Sequence, residues 1–308
     1  MPSTRTDRRW KSEYMGLALD CGETYHDLFK GNNIMELADV EYKRLCDLIH
    51  KESGINLQEG KKEMMMARLA PTFRFRHIAS YSDYYNLVVN DKSGNELNYL
   101  LDAISTNKTY FFREEKHFTY LNETLLPEII SYKKKKGDFS LSLWSAGCAS
   151  GEEAYSIAMT LKEYHPSLSP VNPRILATDI STKVLQKART AIYSKNECSN
   201  ILYNLRAKYF QMGVGKWQDH LRVKRDVQNM IQFERFNLLN SPSKLGLFDI
   251  IFCRNVLIYF NPKIQEEIIT GFYNQLKPKG YLIIGHSESL FNVNHRFNYI
   301  KPTIFRKD

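Results

Sequence analysis

The chain has 308 residues, enough for about two domains, and its 43% hydrophobic and 25% charged residues are typical of a globular protein. Its five cysteines are scattered without paired spacing, which argues against a disulfide framework or a zinc site and suits a reducing cytoplasm. No apolar run approaches the roughly 20 residues of a membrane span, and the net charge of +9 arises entirely after residue 105.

The first third of the chain predicts an arm followed by helices. Residues 1–35 are polar and without periodicity, which is typical of a poorly ordered arm and not of a signal peptide. Residues 36–105 repeat apolar side chains at helical spacing in four stretches and predict a small helical bundle, with Val40 and Leu87 among its core positions. The second stretch is basic and contains Pro71, so its helix should either end near Ala70 or kink.

Further on, the run Lys133–Lys136 is the only long cluster of like charges. Basic residues in the last turn of a helix interact favourably with its dipole. The run therefore predicts a solvated helix end more readily than a nucleic-acid site.

Residues 141–164 predict a strand, a loop of small residues from Gly147 to Gly151, and an amphipathic helix. Such a loop at the carboxyl end of a strand is a ligand-binding turn in α/β sheets. It lacks the phosphate-binding glycine motifs, and Glu152 and Glu153 open the helix instead. Two carboxylates there favour a ligand with sulfonium or ammonium character, such as S-adenosylmethionine (SAM), or they only complement the helix dipole.

Strands and helices alternate after this turn, as a doubly wound sheet requires. A second strand at residues 174–178 ends in Asp179, which either accepts from a ribose diol or caps the next helix. Residues 196–230 predict a small β-hairpin insertion, and residues 248–253 form the clearest central strand. The last strands are predicted at residues 281–284 and, at the edge of the sheet, 299–305.

Five stretches together resemble the chemotaxis protein methyltransferase family, whose members methylate chemoreceptor glutamates. They are TNKTYFFRE at 106–114, WSAGCASGEEAYSIAM at 144–159, ATDIS at 177–181, FDIIFCRNVLIYF at 248–260 and LKPKGYLIIGHSES at 276–289. The resemblance implies an α/β fold with a Rossmann-like SAM-dependent methyltransferase domain at 106–308. It also implies an N-terminal helical domain at 36–105 and a small β-subdomain inserted at about 196–230.

The resemblance also implies the site residues, with SAM as cofactor and S-adenosylhomocysteine as product. Tyr259 and Arg113 are the implied catalytic residues, and the alternative for Tyr259 is a packed aromatic at the sheet edge. Glu152 stays as the alternate to Glu153. The implied cofactor-binding residues are Asn107, Thr109, Arg113, Glu153, Asp179, Asn237, Leu238, Asn255 and Val256.

The implied reaction needs little acid–base chemistry, because a glutamate with a pKa of about 4.3 is already ionised at neutral pH. Neither a catalytic triad nor a nucleophilic role for Cys148 is therefore expected. The implied partner is the cytoplasmic domain of methyl-accepting chemotaxis receptors, in some members through a C-terminal peptide that docks on the β-subdomain. A cytoplasmic monomer without membrane insertion or a metal site is expected.

The alternative is a SAM-dependent methyltransferase of another substrate such as RNA, which the basic charge would suit. Amino-group methylation usually carries an Asn/Asp-Pro-Pro-aromatic motif after the fourth strand. The corresponding position reads Arg254-Asn255-Val256-Leu257. This difference argues against nucleic acid as the partner.

Overall fold

Four helices form where the sequence repeats apolar residues at helical spacing. A computed structural model describes residues 36–57, 60–164 and 171–308, and the predicted arm at 1–35 lies outside these ranges. The helices are α1 (Asp39–Ser53), α2 (Lys62–Arg76), α3 (Tyr81–Asn90) and α4 (Asn95–Ile104). Their buried faces meet through Leu45, Leu69, Phe73, Tyr84 and Leu100. Val40 and Leu87 were wrongly placed in this core, since they are 72% and 42% exposed.

Helix α2 continues through Pro71 and ends only at Arg76. Of the two alternatives, an end near Ala70 is therefore wrong. Pro71 lies on the exposed face of the helix. The buried residues Met65, Leu69 and Phe73, spaced by four, hold the opposite face against the bundle on both sides of the proline, and this packing offsets the hydrogen bond that proline removes.

The central sheet has seven strands in the order β6-β2-β1-β7-β8-β10-β9. The first five strands of that order pair in parallel. At the other side of the sheet, β10 pairs antiparallel with β8 and with β9. The strands span β1 (Ser140–Ala146), β2 (Asn172–Asp179), β6 (Ile231–Arg235), β7 (Phe248–Cys253), β8 (Leu276–Ile284), β9 (Asn298–Lys301) and β10 (Ile304–Arg306). The predicted edge strand is thus two strands, of which only β9 lies at the edge.

Helices cover both faces of the sheet, so side chains of the parallel strands are buried on both sides. In β7, Ile250 and Phe252 join one apolar core while Ile251 and Cys253 join the other. This two-sided burial explains why the strand is apolar throughout and not alternating. The helices are α5 (Lys116–Tyr120), α6 (Leu126–Lys136), α7 (Glu152–Glu163), α8 (Thr182–Thr190) and α11 (Pro262–Gln275), and a π-helical turn at Leu121–Leu125 joins α5 to α6.

The insertion between α8 and β6 forms a second sheet of three antiparallel strands in the order β3-β5-β4. Its first strand, β3 (Ile192–Ser194), begins before residue 196, so the segment is more than the hairpin expected from the sequence. The other elements are α9 (Tyr203–Tyr209), β4 (Phe210–Met212), β5 (His220–Val223) and α10 (Arg225–Gln228).

The order of the parallel strands reverses at β1, which pairs with β2 on one side and with β7 on the other. The loops that follow β1, β2 and β7 therefore gather at one edge of the sheet, the place where doubly wound folds bind ligands. None of the helices in the described ranges is long and apolar enough to cross a membrane.

At the opposite edge, the Lys133–Lys136 run is only partly solvated. Lys133 is 3% exposed, which corrects the expectation of a solvated run at this position. Its ammonium lies 2.5 Å from Asp138 and 2.9 Å from the buried Asp249. Asp249 also accepts from the backbone N–H of Ser142, so the lysine ties the end of α6 to the starts of β1 and β7.

Replacing Lys133 should therefore destabilise the fold. Lys133→Ala leaves the buried Asp249 carboxylate with weaker compensation, and we expect the free energy of unfolding to fall by about 3 kcal/mol in a urea titration. The matched control is Lys135→Ala on the exposed face of the same helix, which should change stability by less than about 0.5 kcal/mol. Equal effects of the two substitutions would contradict a structural role for Lys133.

Candidate functional site

A cavity of about 570 Å³ lies between the helical segment and the carboxyl edge of the sheet. All nine residues predicted to bind the cofactor line it, and so does Tyr259. Glu152, the alternate to Glu153, does not. Further lining comes from α2 and the segment before it, through Lys61, Met64 and Arg68.

The loop after β1 is shaped for close approach of its backbone. Gly147 has φ +78°, and a Cβ at this position would lie 2.4 Å from Val256 Cγ2. The N–H groups of Gly147 and Cys148 both donate to the Thr178 carbonyl, at 2.8 and 2.9 Å. Glycine is required here because the loop turns back onto the end of β2 and has Val256 directly in front of it.

Asp179 ends β2 and holds the same loop from its other side. One carboxylate oxygen accepts from the Ala149 N–H and the other from the Ser181 N–H, each at 2.9 Å. Burial raises the pKa of Asp179, and these amide donors oppose the shift. Ser181, and not Asp179, caps α8, because its hydroxyl accepts from the Val184 N–H. Each oxygen of Asp179 keeps a further lone pair for a ligand hydroxyl.

Glu153 is neutralised by Arg254, a contact that sequence reasoning missed. Arg254 Nη1 lies 3.0 Å from Glu153 Oε2, and the Ser145 hydroxyl donates to Oε1 at 2.7 Å. Arg254 Nη2 lies 3.0 Å from Glu114 Oε2, so one buried guanidinium serves two carboxylates. Glu153 therefore does not face the cavity as an unpaired carboxylate, and its charge alone does not attract a cationic ligand.

The two carboxylates that flank Arg254 respond differently to burial. Burial raises the pKa of Glu153 despite the nearby guanidinium. Burial also acts to raise the pKa of Glu114, but the charge and hydrogen bond of Arg254 outweigh it and hold that pKa below its usual value. Glu152 does not line the cavity, and its carboxylate accepts from the Ser150 hydroxyl.

Arg113 lies on a strained backbone. Phe112 and Glu114 on either side of it have φ values of +53° and +57°, a region that non-glycine residues enter at a cost of about 1–3 kcal/mol. The Phe112 N–H donates to the Ser156 hydroxyl of α7 at 2.9 Å, and Arg254 donates to the Arg113 carbonyl. These contacts hold the Arg113 side chain on the cavity, where Nη1 donates to the Lys108 carbonyl at 2.9 Å.

The opposite wall joins the α/β part to the helical segment. The Asn237 side chain donates to the Glu52 carbonyl at 2.7 Å and accepts from the Leu239 N–H at 3.1 Å. The Asn56 N–H donates to the Tyr259 carbonyl at 2.8 Å. The expected contact of the Asn237 amide with an adenine edge must therefore use the second hydrogen of its Nδ2. The Tyr259 hydroxyl has no hydrogen-bond partner among the described residues, which leaves it available to a substrate.

A buried carboxylate fixes the loop that carries Asn255. Glu288 accepts four backbone N–H groups at 2.6–2.9 Å, those of Asn255, Val256, Leu257 and Gly285. Asn255 has φ +59°, and these hydrogen bonds hold it there. Its side chain lies 3.4 Å from Glu114 and 3.5 Å from Ser287. Burial raises the pKa of Glu288, and the four amides oppose the shift.

Arg254, Glu114 and Glu288 carry no sequence signal of their roles. Arg254 and Glu114 are 140 residues apart, and a charged residue next to a loop is usually exposed. Their positions inside three of the family-like stretches are the only clue.

Two family models match the chain. The family model "CheR methyltransferase, SAM binding domain" matches residues 107–306, and "CheR methyltransferase, all-alpha domain" matches residues 40–105. The chain belongs to the chemotaxis protein methyltransferase family. It is thus a SAM-dependent methyltransferase.

Two curated relatives show the extent of the similarity. A chemotaxis protein methyltransferase of Borreliella burgdorferi is 37% identical over 282 residues, which cover 91% of this chain and 98% of that protein. A chemotaxis protein methyltransferase of Escherichia coli strain K12 is 34% identical over 292 residues, which cover 94% of this chain and 98% of that protein. Among solved structures, magnesium protoporphyrin IX methyltransferase from Synechocystis PCC 6803 with bound SAM has a TM-score of 0.26 and 15% identity. The matched region covers 64% of this chain and 71% of the magnesium protoporphyrin IX methyltransferase chain. This similarity is too distant to bear on function.

The residues present fit SAM. The cavity volume falls within the range of about 300–1,000 Å³ typical of small-molecule sites. The Gly147 turn leaves the backbone open to close approach, and Asp179 keeps lone pairs for hydroxyl donors. The cavity also presents the side chains of Asn107, Thr109 and Asn255 as hydrogen-bonding groups.

We predict that Glu288 positions the loop after β7, which carries Asn255, and thereby supports cofactor binding by this methyltransferase. In Glu288→Gln, an NH₂ group replaces one oxygen and faces N–H donors, so two backbone amides lose their acceptor at about 1–3 kcal/mol each. Part of that cost should appear as an affinity for S-adenosylhomocysteine weakened at least tenfold in calorimetry. Glu115→Gln, which changes an exposed glutamate at the same edge, should bind normally. Tight binding by a folded Glu288→Gln protein would contradict this role.

Proposed function

We propose that this methyltransferase transfers the methyl group of SAM to glutamate side chains of chemoreceptor cytoplasmic domains. The observation that supports this acceptor is the lack of a free general base among the described residues that line the cavity. No histidine is among them, Glu153 is paired with Arg254, and Asp179 is bonded to two amides. An acceptor that is already ionised at neutral pH needs no base, and a glutamate carboxylate is such an acceptor.

The charge of the lining also favours an anionic acceptor. The described lining contains five cationic side chains against two carboxylates, both of which already have partners. The cations are Lys61, Arg68, Lys108, Arg113 and Arg254. Arg254 is committed to its carboxylates, and Arg68 donates to the carbonyls of Ile104 and Ser105, so Lys61, Lys108 and Arg113 remain to attract the acceptor.

We propose that Arg113 and Tyr259 orient the acceptor carboxylate. Arg113 keeps unused N–H groups, and the Tyr259 hydroxyl has no partner among the described residues. When bound, SAM supplies an electrophilic methyl group. The protein then has to align the carboxylate and exclude water from it, which are the contributions expected when no proton is transferred.

The nature of the product tests the acceptor. With tritiated SAM and a purified receptor cytoplasmic domain, we expect label that mild alkali releases as volatile methanol, because a glutamate methyl ester hydrolyses under conditions that leave N-methyl groups intact. A receptor fragment with its candidate glutamates changed to glutamine is the control and should gain little label. Alkali-stable label, or preferential labelling of RNA in the same reaction, would rule out glutamate methylation.

The orienting residues should affect turnover more than cofactor binding. We expect Tyr259→Phe and Arg113→Ala each to lower kcat at least tenfold, since each removes a contact to the acceptor, while Tyr259→Phe leaves the affinity for S-adenosylhomocysteine unchanged. Ile258→Ala, at the exposed neighbouring position, is the control for loop disturbance. Full turnover in Tyr259→Phe would exclude the hydroxyl from catalysis.

The surface of α2 provides a test of receptor docking. Lys61 lines the cavity mouth and Arg74 is exposed on the same segment, whereas Lys62 and Arg76 are engaged with Asp39 and Glu96. Lys61→Glu with Arg74→Glu should raise the apparent KM for receptor, most strongly at low salt. Lys135→Glu with Lys136→Glu makes the same change of net charge at the opposite edge of the sheet and should have little effect. Equal KM changes in both double variants would contradict a local docking surface.

A further inference from the structure

Glu114, His117 and His286 form a cluster of possible metal ligands, and none of the three lines the cavity. One ligand atom from each residue lies within 4.8 Å of the others. His117 is in α5, Glu114 lies just before that helix, and His286 follows β8. The His286 N–H donates to both oxygens of Glu114 at 3.2 Å, and the two imidazole rings are 4.8 Å apart.

The hydrogen bonds of Thr303 define the proton position on His117. The Thr303 hydroxyl donates to the Pro302 carbonyl at 2.6 Å, so it accepts from His117 Nε2, which is 2.7 Å away. The hydrogen of a neutral imidazole is then on Nε2, and Nδ1 carries a bare lone pair. Nδ1 is buried and has no hydrogen-bond partner in the part of the chain that the structure describes.

This lone pair faces a carboxylate. His117 Nδ1 lies 3.4 Å from Glu114 Oε2, and the two side chains are only 3% and 12% exposed. A buried imidazole nitrogen without a partner is unfavourable unless another group or an ion binds it.

We propose that Glu114, His117 and His286 bind a divalent transition-metal ion of the zinc class through Oε2, Nδ1 and one imidazole nitrogen of His286. Ligand bonds of about 2.0–2.1 Å in a tetrahedral site place ligand atoms about 3.3–3.4 Å apart, which matches the observed separation of Nδ1 and Oε2. Thr303 supplies the outer hydrogen bond that orients a metal-binding histidine. His286 is exposed, so the ion has access and its fourth position is open to water.

The ligand set defines the class of ion. Two imidazoles and one carboxylate suit zinc, cobalt or nickel, whereas magnesium and calcium require oxygen ligands. The charge of Arg254 repels a cation, but Glu114 and Glu153 offset it within the same cluster. Because Glu114 pairs with Arg254 as well, bound metal is coupled to the guanidinium that fixes Glu153.

The proposal can be tested without any activity measurement. The full chain is first stripped of metal with a chelator and then titrated with cobalt(II). We expect one equivalent of cobalt with the visible absorption of a four-coordinate site lacking thiolate charge transfer, and displacement by stoichiometric zinc. His286→Ala, which changes an exposed residue, should weaken cobalt binding at least tenfold. His77→Asn, at an exposed histidine on the C-terminal end of α2, is the matched control and should bind as the parent chain does.

His117→Gln provides a second variant, checked for folding by circular dichroism. Loss of the cobalt spectrum in a folded His117→Gln protein supports the assignment. Absence of a stoichiometric site in the parent chain overturns it. So does a spectrum with thiolate character, or one that survives His286→Ala.

Discussion

The guanidinium of Arg254 is the interaction on which the rest of the site depends. It is buried at the end of β7 and reaches Glu153 at the start of α7, Glu114 in the segment after α4, and the Arg113 carbonyl. Three parts of the chain that are distant in sequence are thereby fixed to one planar group. Loss of one partner of such a buried pair costs about 3–5 kcal/mol, because the charge that remains has no water to replace the partner. The start of α7, the Arg113 backbone and the end of β7 are therefore held together in one arrangement by Arg254.

A second constraint joins the helical segment to the sheet. Asn237 donates to the Glu52 carbonyl, and Asn56 donates to the Tyr259 carbonyl, so both contacts use the end of α1. Gly54 at this end has φ +74°, and a Cβ there would meet Leu239 at 2.8 Å. The helical segment is thus a wall of the cavity and not a separate attachment. Substitutions in α1 and α2 can accordingly change the cofactor site.

The sequence predicted the fold where a residue's neighbours along the chain decide its environment. β7 was predicted within its observed bounds because six successive residues are buried on both faces of the sheet. The three-residue strand β3 was missed because so short a strand shows no periodicity. Val40 was misplaced because helical spacing defines a face but not where the neighbouring helix stops covering it. Lys133 was misread for a related reason, since its partner Asp249 is 116 residues away.

In the candidate site, too, local sequence motifs indicated some residues, whereas the residues that hold them in place come from distant positions. The residues that the family resemblance implied all line one cavity, because they stand in local motifs at the ends of strands and in the segment after α4. The charges that hold these residues in place come from distant positions, and no local pattern indicates that Arg254 or Glu288 is buried. This division has a chemical consequence. The carboxylates near the cofactor loop are saturated by protein donors, Glu153 by Arg254 and Ser145, and Glu288 by four amides. These donors occupy the oxygens of both carboxylates, so neither is free to take a proton from an acceptor. A site whose own carboxylates are held in this way suits an acceptor that arrives already deprotonated.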